Sequence, residues 1–298
     1  MALSDTRSAR IRAMESVMGP MPALGESVSW RAGGEWQEEG YTRRLVLFES
    51  DPGDLVPAWL LWPERPRPGG AAVLCLHQTT RIGKDEPAGL GGKPALHYAR
   101  ELALRGYAAL APDYPGFGGY RCDPYALGYA SATMKGIVNH ARALRLLAAL
   151  PGVDGRRIAA VGHSLGGHNA LFLAAFEPRV AAVVTSCGFT RFHRYMGGNL
   201  SGWSHRGYMP RIEFRFGCHP ARMPFDFPDV LALIAPRPVF VSAPLGDDNF
   251  DVQGVRECLD EVRSLFPDGR LRAEFPGCGH DFPADVREMA WQFLDSFL

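Results

Sequence analysis

Three observations predict an α/β chain built on one mostly parallel sheet with helices on both faces. Short continuous apolar runs, such as Ala71-Ala-Val-Leu-Cys-Leu76, read as strands buried on both faces. They alternate with longer stretches of helical apolar spacing. At one strand-to-helix junction stands Gly162-His163-Ser164-Leu165-Gly166, a pattern that places a serine on a sharp turn above the sheet.

The elements follow in order. Residues 5–18 carry Ile11, Met14, Val17 and Met18 on one side of a helix, and Gly19-Pro20-Met21-Pro22 ends it. Residues 1–39 are therefore expected to form an N-terminal helical extension. Residues 44–48 and 56–62 read as an antiparallel hairpin about the turn Asp51-Pro-Gly-Asp54. Pro57 lacks a donor, so a free edge or a bulge is expected there. The buried strand at 71–76 comes next. Pro94 opens a helix over 95–105 that Gly106 closes, and 107–111 is a strand. A long helix over 128–149 stops at Pro151-Gly152. Then come a strand at 157–161, a helix at 167–175, and strands at 180–184 and 238–242. A helix over 252–265, a strand at 271–275 and a helix at 284–297 complete the chain. Residues 188–230 lack an apolar strand series and read as a cap-like excursion, so 1–298 is expected to be one domain.

The bulk numbers exclude more than they assign. With 32 basic and 32 acidic residues the net charge is zero, so no global field favours nucleic acid or an anionic membrane. The N-terminus has no apolar leader pattern and no stretch is long enough to span a bilayer. Six scattered cysteines show no paired metal spacing. A cytoplasmic location with reduced thiols is the expectation. Oligomeric state is not legible.

A serine at such a junction is suited to nucleophilic attack, because backbone N–H groups at the helix start stabilise the oxyanion that results. It needs a base, and the base an orienting acid. Both are sought at the carboxyl ends of later strands. His280 lies on the glycine-bounded loop Gly277-Cys278-Gly279-His280 after the last strand. The acid comes from Asp247 or Asp248, with Asp247 favoured because it is closer to its strand end. Asp281 is disfavoured because adjacent side chains in an extended loop diverge. The N–H of Leu165, next after the nucleophile, is the first oxyanion donor. His77 and Asp113 are read as loop-holding residues. His163 and His168 lack the spacing of a zinc pair, and no dinucleotide fingerprint is present.

The order Ser…Asp…His goes with the α/β-hydrolase fold. The chain resembles α/β-hydrolases of the dienelactone hydrolase and acetyl xylan esterase-like group. The resemblance is carried by Val153-Asp-Gly-Arg-Arg-Ile158 leading to Gly162-His-Ser-Leu-Gly-Gly167, by Asp113-Tyr-Pro-Gly-Phe-Gly118 and by Gly279-His-Asp-Phe282, and it covers residues 40–298. It implies a carboxylic-ester hydrolase without metal or organic cofactor, and a second oxyanion donor from the N–H of Gln78. Dienelactone hydrolases proper use a cysteine nucleophile, whereas serine stands here.

The cap is rich in aromatics, and Trp203, Tyr208 and Arg211 are candidate substrate contacts. Six arginines against two acids between 189 and 227 leave two readings open. They hold a substrate carboxylate through guanidinium forks, or they pair with acids elsewhere, such as Asp85 and Glu86. The expected partner is a small-molecule ester. The competing readings are a peptidase or amidase, an acyltransferase, and a non-catalytic binding protein on the same fold.

Overall fold

The computed structural model describes residues 3–298. The elements are α1 (Leu3–Met18), β1 (Trp30–Glu38), β2 (Tyr41–Asp51), β3 (Asp54–Pro63), β4 (Ala72–Leu76), α2 (Tyr98–Leu104), β5 (Ala108–Pro112), α3 (Ala132–Ala149), β6 (Ile158–His163), α4 (Leu165–Phe176) and β7 (Ala182–Ser186). Three short helices follow, α5 (Ser201–Ser204), α6 (Arg211–Phe216) and α7 (Phe227–Ile234). The chain closes with β8 (Val239–Ser242), α8 (Val252–Val262), β9 (Leu271–Glu274) and α9 (Ala284–Phe297).

The nine strands form one sheet in the order β1-β2-β3-β5-β4-β6-β7-β8-β9. β1, β2, β3 and β5 pair antiparallel, and β5 through β9 pair parallel. β4 shows why continuous apolar runs mark this sheet. Ala72, Leu74 and Leu76 point into one core with residues of α1, α3, α4, α7 and α8. Val73 and Cys75 point into the other, with α2 and α9. A strand covered on both faces has no polar alternation to display.

Strand order reverses at β4, whose sequence neighbour β5 lies on one side and β6 on the other. In open α/β sheets that switch point opens a crevice beyond the carboxyl ends of the strands. Here the crevice receives the residues after β4, beginning His77-Gln78, and those after β6, beginning with Ser164.

Two expectations are corrected. Residues 1–39 are not a helical extension throughout, because Trp30–Glu38 is an edge strand. Every residue of β1 but the last is exposed, so it carries no core-facing alternation to be read. It is held by the ladder to β2 and by Trp36, which meets Trp59 edge-on at 5.4 Å beneath the Arg43 guanidinium. Pro57 does not mark a free edge, since β3 lies between β2 and β5. The β3–β5 register begins at Ala58, and the Pro57 carbonyl accepts from Asp113 N–H at 2.9 Å where β5 ends. N–H and C=O of one strand residue point the same way, so the missing donor faces the spot where the neighbouring ladder stops. Smaller differences fall at helix starts. The helix after Pro94 is a 3₁₀ turn followed by α2, and α3 begins at Ala132, capped by the Ser131 hydroxyl accepting from Met134 N–H.

Candidate active site

Ser164 stands between β6 and α4 with φ 53° and ψ −117°. A non-glycine residue in this region is strained, and such strain costs about 1–3 kcal/mol. The surroundings enforce it. Ser164 N–H donates to the Ser186 carbonyl at 2.8 Å, and its own carbonyl accepts from His168 N–H at 3.2 Å. The turn also needs two bare glycines. A Cβ on Gly166 would lie 1.8 Å from the Leu76 carbonyl oxygen, and one on Gly162 would lie 2.2 Å from the Gly166 carbonyl. The glycines thus let β4, β6 and α4 close around the serine.

His280 and Asp247 arrive on neighbouring loops. The loop after β8 is joined to the loop after β9 by Leu245 N–H to the Pro276 carbonyl (2.9 Å) and Gly246 N–H to the Cys278 carbonyl (3.0 Å). This pairing brings His280 Nδ1 to 3.0 Å from both carboxylate oxygens of Asp247. Asp247 Oδ1 also accepts from the N–H groups of Asn249 (2.9 Å) and Phe250 (3.1 Å). Burial pushes the Asp247 carboxyl up, but the His280 and backbone bonds outweigh it and hold the group below the usual range. Asp247 is therefore a charged acceptor that fixes the imidazole with Nδ1–H toward itself. Asp248 is exposed and makes no bond to His280. Asp281 Oδ1 accepts from Phe282 N–H in its own loop.

Ser164 and His280 both line a cleft of about 620 Å³ at the switch point, with Asp247 buried behind the imidazole. Gln78 lines it too. His77 clamps the Gln78 peptide: Tyr114 N–H donates to His77 Nε2 at 2.9 Å, so Nδ1 carries the proton and donates to the Gln78 carbonyl at 2.6 Å. That is the loop-holding role its sequence context suggests. Asp113 plays a similar part, accepting from the N–H groups of Lys84 (2.7 Å) and Gly119 (3.0 Å) and from Lys84 Nζ (3.1 Å). Among the described residues, neither Gln78 N–H nor Leu165 N–H donates to a protein acceptor.

The predicted cap contacts separate. Tyr208 lines the cleft, as do Tyr195, Gly202 and His205. Trp203 does not; it is 3% exposed and packs against His168, Tyr195, Tyr208 and Phe250 behind the lining. Arg211 is corrected outright. Its guanidinium donates to the Glu15 and Ser16 carbonyls at 3.4 and 3.3 Å, at the C-terminal end of α1. A helix end rich in unpaired carbonyls attracts a cation. None of the six cap arginines lines the cleft. Arg191 pairs with Glu261 and Asp226, Arg194 with Glu257, and Arg206 with Asp123. These acids are not Asp85 or Glu86; Asp85 accepts from Trp59 Nε1 and Glu86 from Lys93 N–H.

Several residues near the reacting groups are given no role at the site by the sequence. The His163 ring lies 4.9 Å from that of His280, and its Nδ1 is 3.0 Å from Ser186 Oγ. Phe250 stacks on His280 at 6.0 Å. Glu86 and Lys93, on the long loop after β4, line the cleft. The loops that carry Phe250, Glu86 and Lys93 have no periodic pattern, so only the fold could place those three. Cys187, Asp247 and His280 offer potential metal-ligand atoms within 4.8 Å of one another. Asp247 and His280 already satisfy each other, and burial pushes the Cys187 thiol well up, which disfavours the thiolate a metal needs.

Burial holds His140, His163 and His168 down to a pKa of about 3, against 6.5 for a free imidazole. Each is neutral when folded but takes a proton in the unfolded chain below pH 6.5. The unfolded state then binds more protons, so stability is full above that pH and falls as pH drops toward 3. The slope is up to about 1.4 kcal/mol per pH unit for each histidine. Urea melts at neutral and mildly acidic pH are expected to show a steadily lower midpoint on acidification. Equal midpoints at pH near 7 and near 5 would contradict three neutral buried imidazoles.

The chain matches the profile described as "Alpha/beta hydrolase family" over residues 73–290. It therefore belongs to the alpha/beta hydrolase family. It is 25% identical over 281 residues to YtaP of Bacillus subtilis (strain 168), a protein named only provisionally as a hydrolase; the match spans 89% of this chain and 90% of YtaP. Among solved structures it is similar to a glucuronoyl esterase from Solibacter usitatus, with TM-score 0.77, 18% identity, and 97% of this chain and 91% of that one covered. It is also similar to an acetyl xylan esterase from Paenibacillus sp. R4, with TM-score 0.69, 17% identity and both chains fully covered. These likenesses establish the fold. Among the described residues, no helix is long and apolar enough to cross a membrane.

Proposed function

We propose that this chain is a serine hydrolase that cleaves carboxylic esters of small molecules through an acyl-enzyme. The observation that carries the reading is that Ser164 and His280 line one cleft at the strand-order switch, with Asp247 buried behind the imidazole and 3.0 Å from its Nδ1. In the proposed cycle, His280 Nε2 takes the Ser164 hydroxyl proton as Oγ attacks the ester carbonyl carbon. The negative charge moves to the carbonyl oxygen, which the N–H groups of Leu165 and Gln78 receive. The tetrahedral adduct collapses, the C–O bond to the alcohol breaks, and His280 returns the proton to the departing alkoxide. Water then attacks the acyl-Ser164 ester by the same route in reverse and frees the acid. Asp247 keeps the imidazole oriented and stabilises its charged form.

That the similar solved structures are esterases supports ester over amide substrates. The excursion at 188–230 acts as a cap on a single catalytic domain, since Tyr195, Gly202, His205 and Tyr208 supply one wall of the cleft. Six free cysteines fit a reducing compartment.

The test is a rapid-quench reaction with p-nitrophenyl acetate. A burst of nitrophenol stoichiometric with enzyme, and an acetyl group found on Ser164 by peptide mass mapping, is the expected result; turnover with no acyl group on Ser164 counts against it. Gln78→Pro removes one proposed oxyanion donor and is expected to lower kcat by about 10²–10³-fold. Gln78→Ala, which keeps the backbone N–H, is the control, and an equal loss of kcat in both variants would remove the backbone donor from the mechanism.

A further inference from the structure

The cleft wall holds one carboxylate that no cation of the protein answers. Glu86, on the loop after β4, lines the cleft and is 5% exposed. Its Oε1 accepts from Lys93 N–H at 2.8 Å. The turn is shaped around that bond: Gly92 has φ 73°, and a Cβ there would lie 2.3 Å from Glu86 Oε1. The backbone thus fixes the carboxylate in place. Oε2 has no hydrogen-bond partner in the protein, yet it is not among the unpaired side-chain atoms sealed from solvent, so it opens on the cleft. Among the described residues, Glu86 has no ion-pair partner. Lys84, two positions earlier, pairs with Asp113 and Asp85. Lys93 is exposed and meets Glu86 through its backbone N–H alone. A charge taken out of water is costly unless it is paired, so an anion left open on a cleft wall is matched by the group that enters the cleft.

We propose that Glu86 binds a cationic group of the substrate, an ammonium carried beside the scissile ester. The proposal rests on the ester-hydrolase reading and names its substrate class: an ester of an amino alcohol or of an amine-bearing acid. An ammonium N–H donates to Oε2 in a charge-assisted bond. Phe117, Tyr208 and Phe250 line the same cleft and offer ring faces that a cation also favours. No arginine is in the lining to repel it, and Lys93, long and exposed, is free to turn its own ammonium to solvent.

The experiment compares esters of one shape that differ in charge. On the alcohol side the pair is 1-methylpiperidin-4-yl acetate, protonated at neutral pH, and 4-methylcyclohexyl acetate. On the acyl side it is the methyl esters of 1-methylpiperidine-4-carboxylic and 4-methylcyclohexanecarboxylic acids. Each ratio of kcat/KM is divided by the ratio of the two hydroxide-catalysed rates, and p-nitrophenyl acetate reports the chemistry separately. The native enzyme is expected to favour the cation by at least about tenfold, or about 1.4 kcal/mol, in one of the two pairs. Which pair shows it tells whether the ammonium sits on the alcohol or the acid. Glu86→Gln keeps an oxygen for Lys93 N–H but loses the charge, and is expected to bring that ratio to within about threefold of one. Lys93→Gln keeps the backbone N–H and removes the competing ammonium, so its ratio is expected to equal or exceed the native one. Should Glu86→Gln not fold, Glu86→Asp, which withdraws the carboxylate by one methylene, decides, with an expected fall of at least about threefold. Ratios near one in both native pairs, a ratio unmoved by the change at Glu86, or an equal fall in Lys93→Gln overturns the cation proposal; if p-nitrophenyl acetate is still cleaved, the hydrolase reading stands. Failure to cleave any of the five esters overturns both.

Discussion

Ser164→Ala is expected to lower kcat/KM for an aryl acetate by about 10⁴–10⁶-fold while the protein stays folded. The loss is large because every later step runs through the bond that Oγ makes to the acyl carbon. What survives is the slow attack of water on an ester held by the cleft and by the Leu165 and Gln78 N–H groups. The fold is expected to tolerate the change, because the contacts that hold residue 164 are backbone bonds to Ser186 and His168 and the close approaches at Gly162 and Gly166. Removing Oγ touches none of them. Steady-state kinetics with a thermal melt of the same sample checks both halves. Activity within tenfold of the native enzyme would mean that the nucleophile lies elsewhere.

The second large effect separates two adjacent aspartates. Asp247→Asn is expected to lower kcat by about 10⁴-fold, and Asp248→Asn by no more than about threefold. The carboxylate oxygen of Asp247 that accepts from Asn249 and Phe250 N–H is fixed by two backbone donors. In the asparagine variant the amide oxygen keeps those two bonds, so the amide NH₂ turns toward His280. The imidazole must then accept at Nδ1 and carry its proton on Nε2, the nitrogen that should receive the serine proton. Geometry is preserved and the tautomer is wrong. Asp248 is exposed and takes no part in this arrangement. Equal losses in the two variants, or a larger one at 248, would reassign the acid.

The sheet was legible because burial on both faces writes itself into the chain as unbroken apolar runs, as in β4 and β7. β1 was not, since an exposed edge strand has no core face and its pairing to β2 is made by backbone atoms that every residue possesses. The serine turn was legible because close approach demands glycine at 162 and 166. His280 could be found from its place after the last strand. The choice between Asp247 and Asp248 could only be argued by proximity until the loop pairing at Leu245 and Gly246 showed which carboxylate faces the ring. Arg211 misled because a cationic residue in a cap suggests an anionic ligand; its partners are main-chain carbonyls of α1, about two hundred positions earlier in sequence, and nothing local announces them.

The account stands on Ser164, His280 and Asp247 acting together, and covalent labelling tests this most directly. A fluorophosphonate incubated with the native enzyme and mapped by peptide mass spectrometry is predicted to modify Ser164 alone, to one equivalent, with abolition of turnover; in His280→Ala and Asp247→Asn the rate of modification is predicted to fall by orders of magnitude. A fully active enzyme left unmodified at Ser164, or a Ser164 that reacts just as fast without His280, would contradict it.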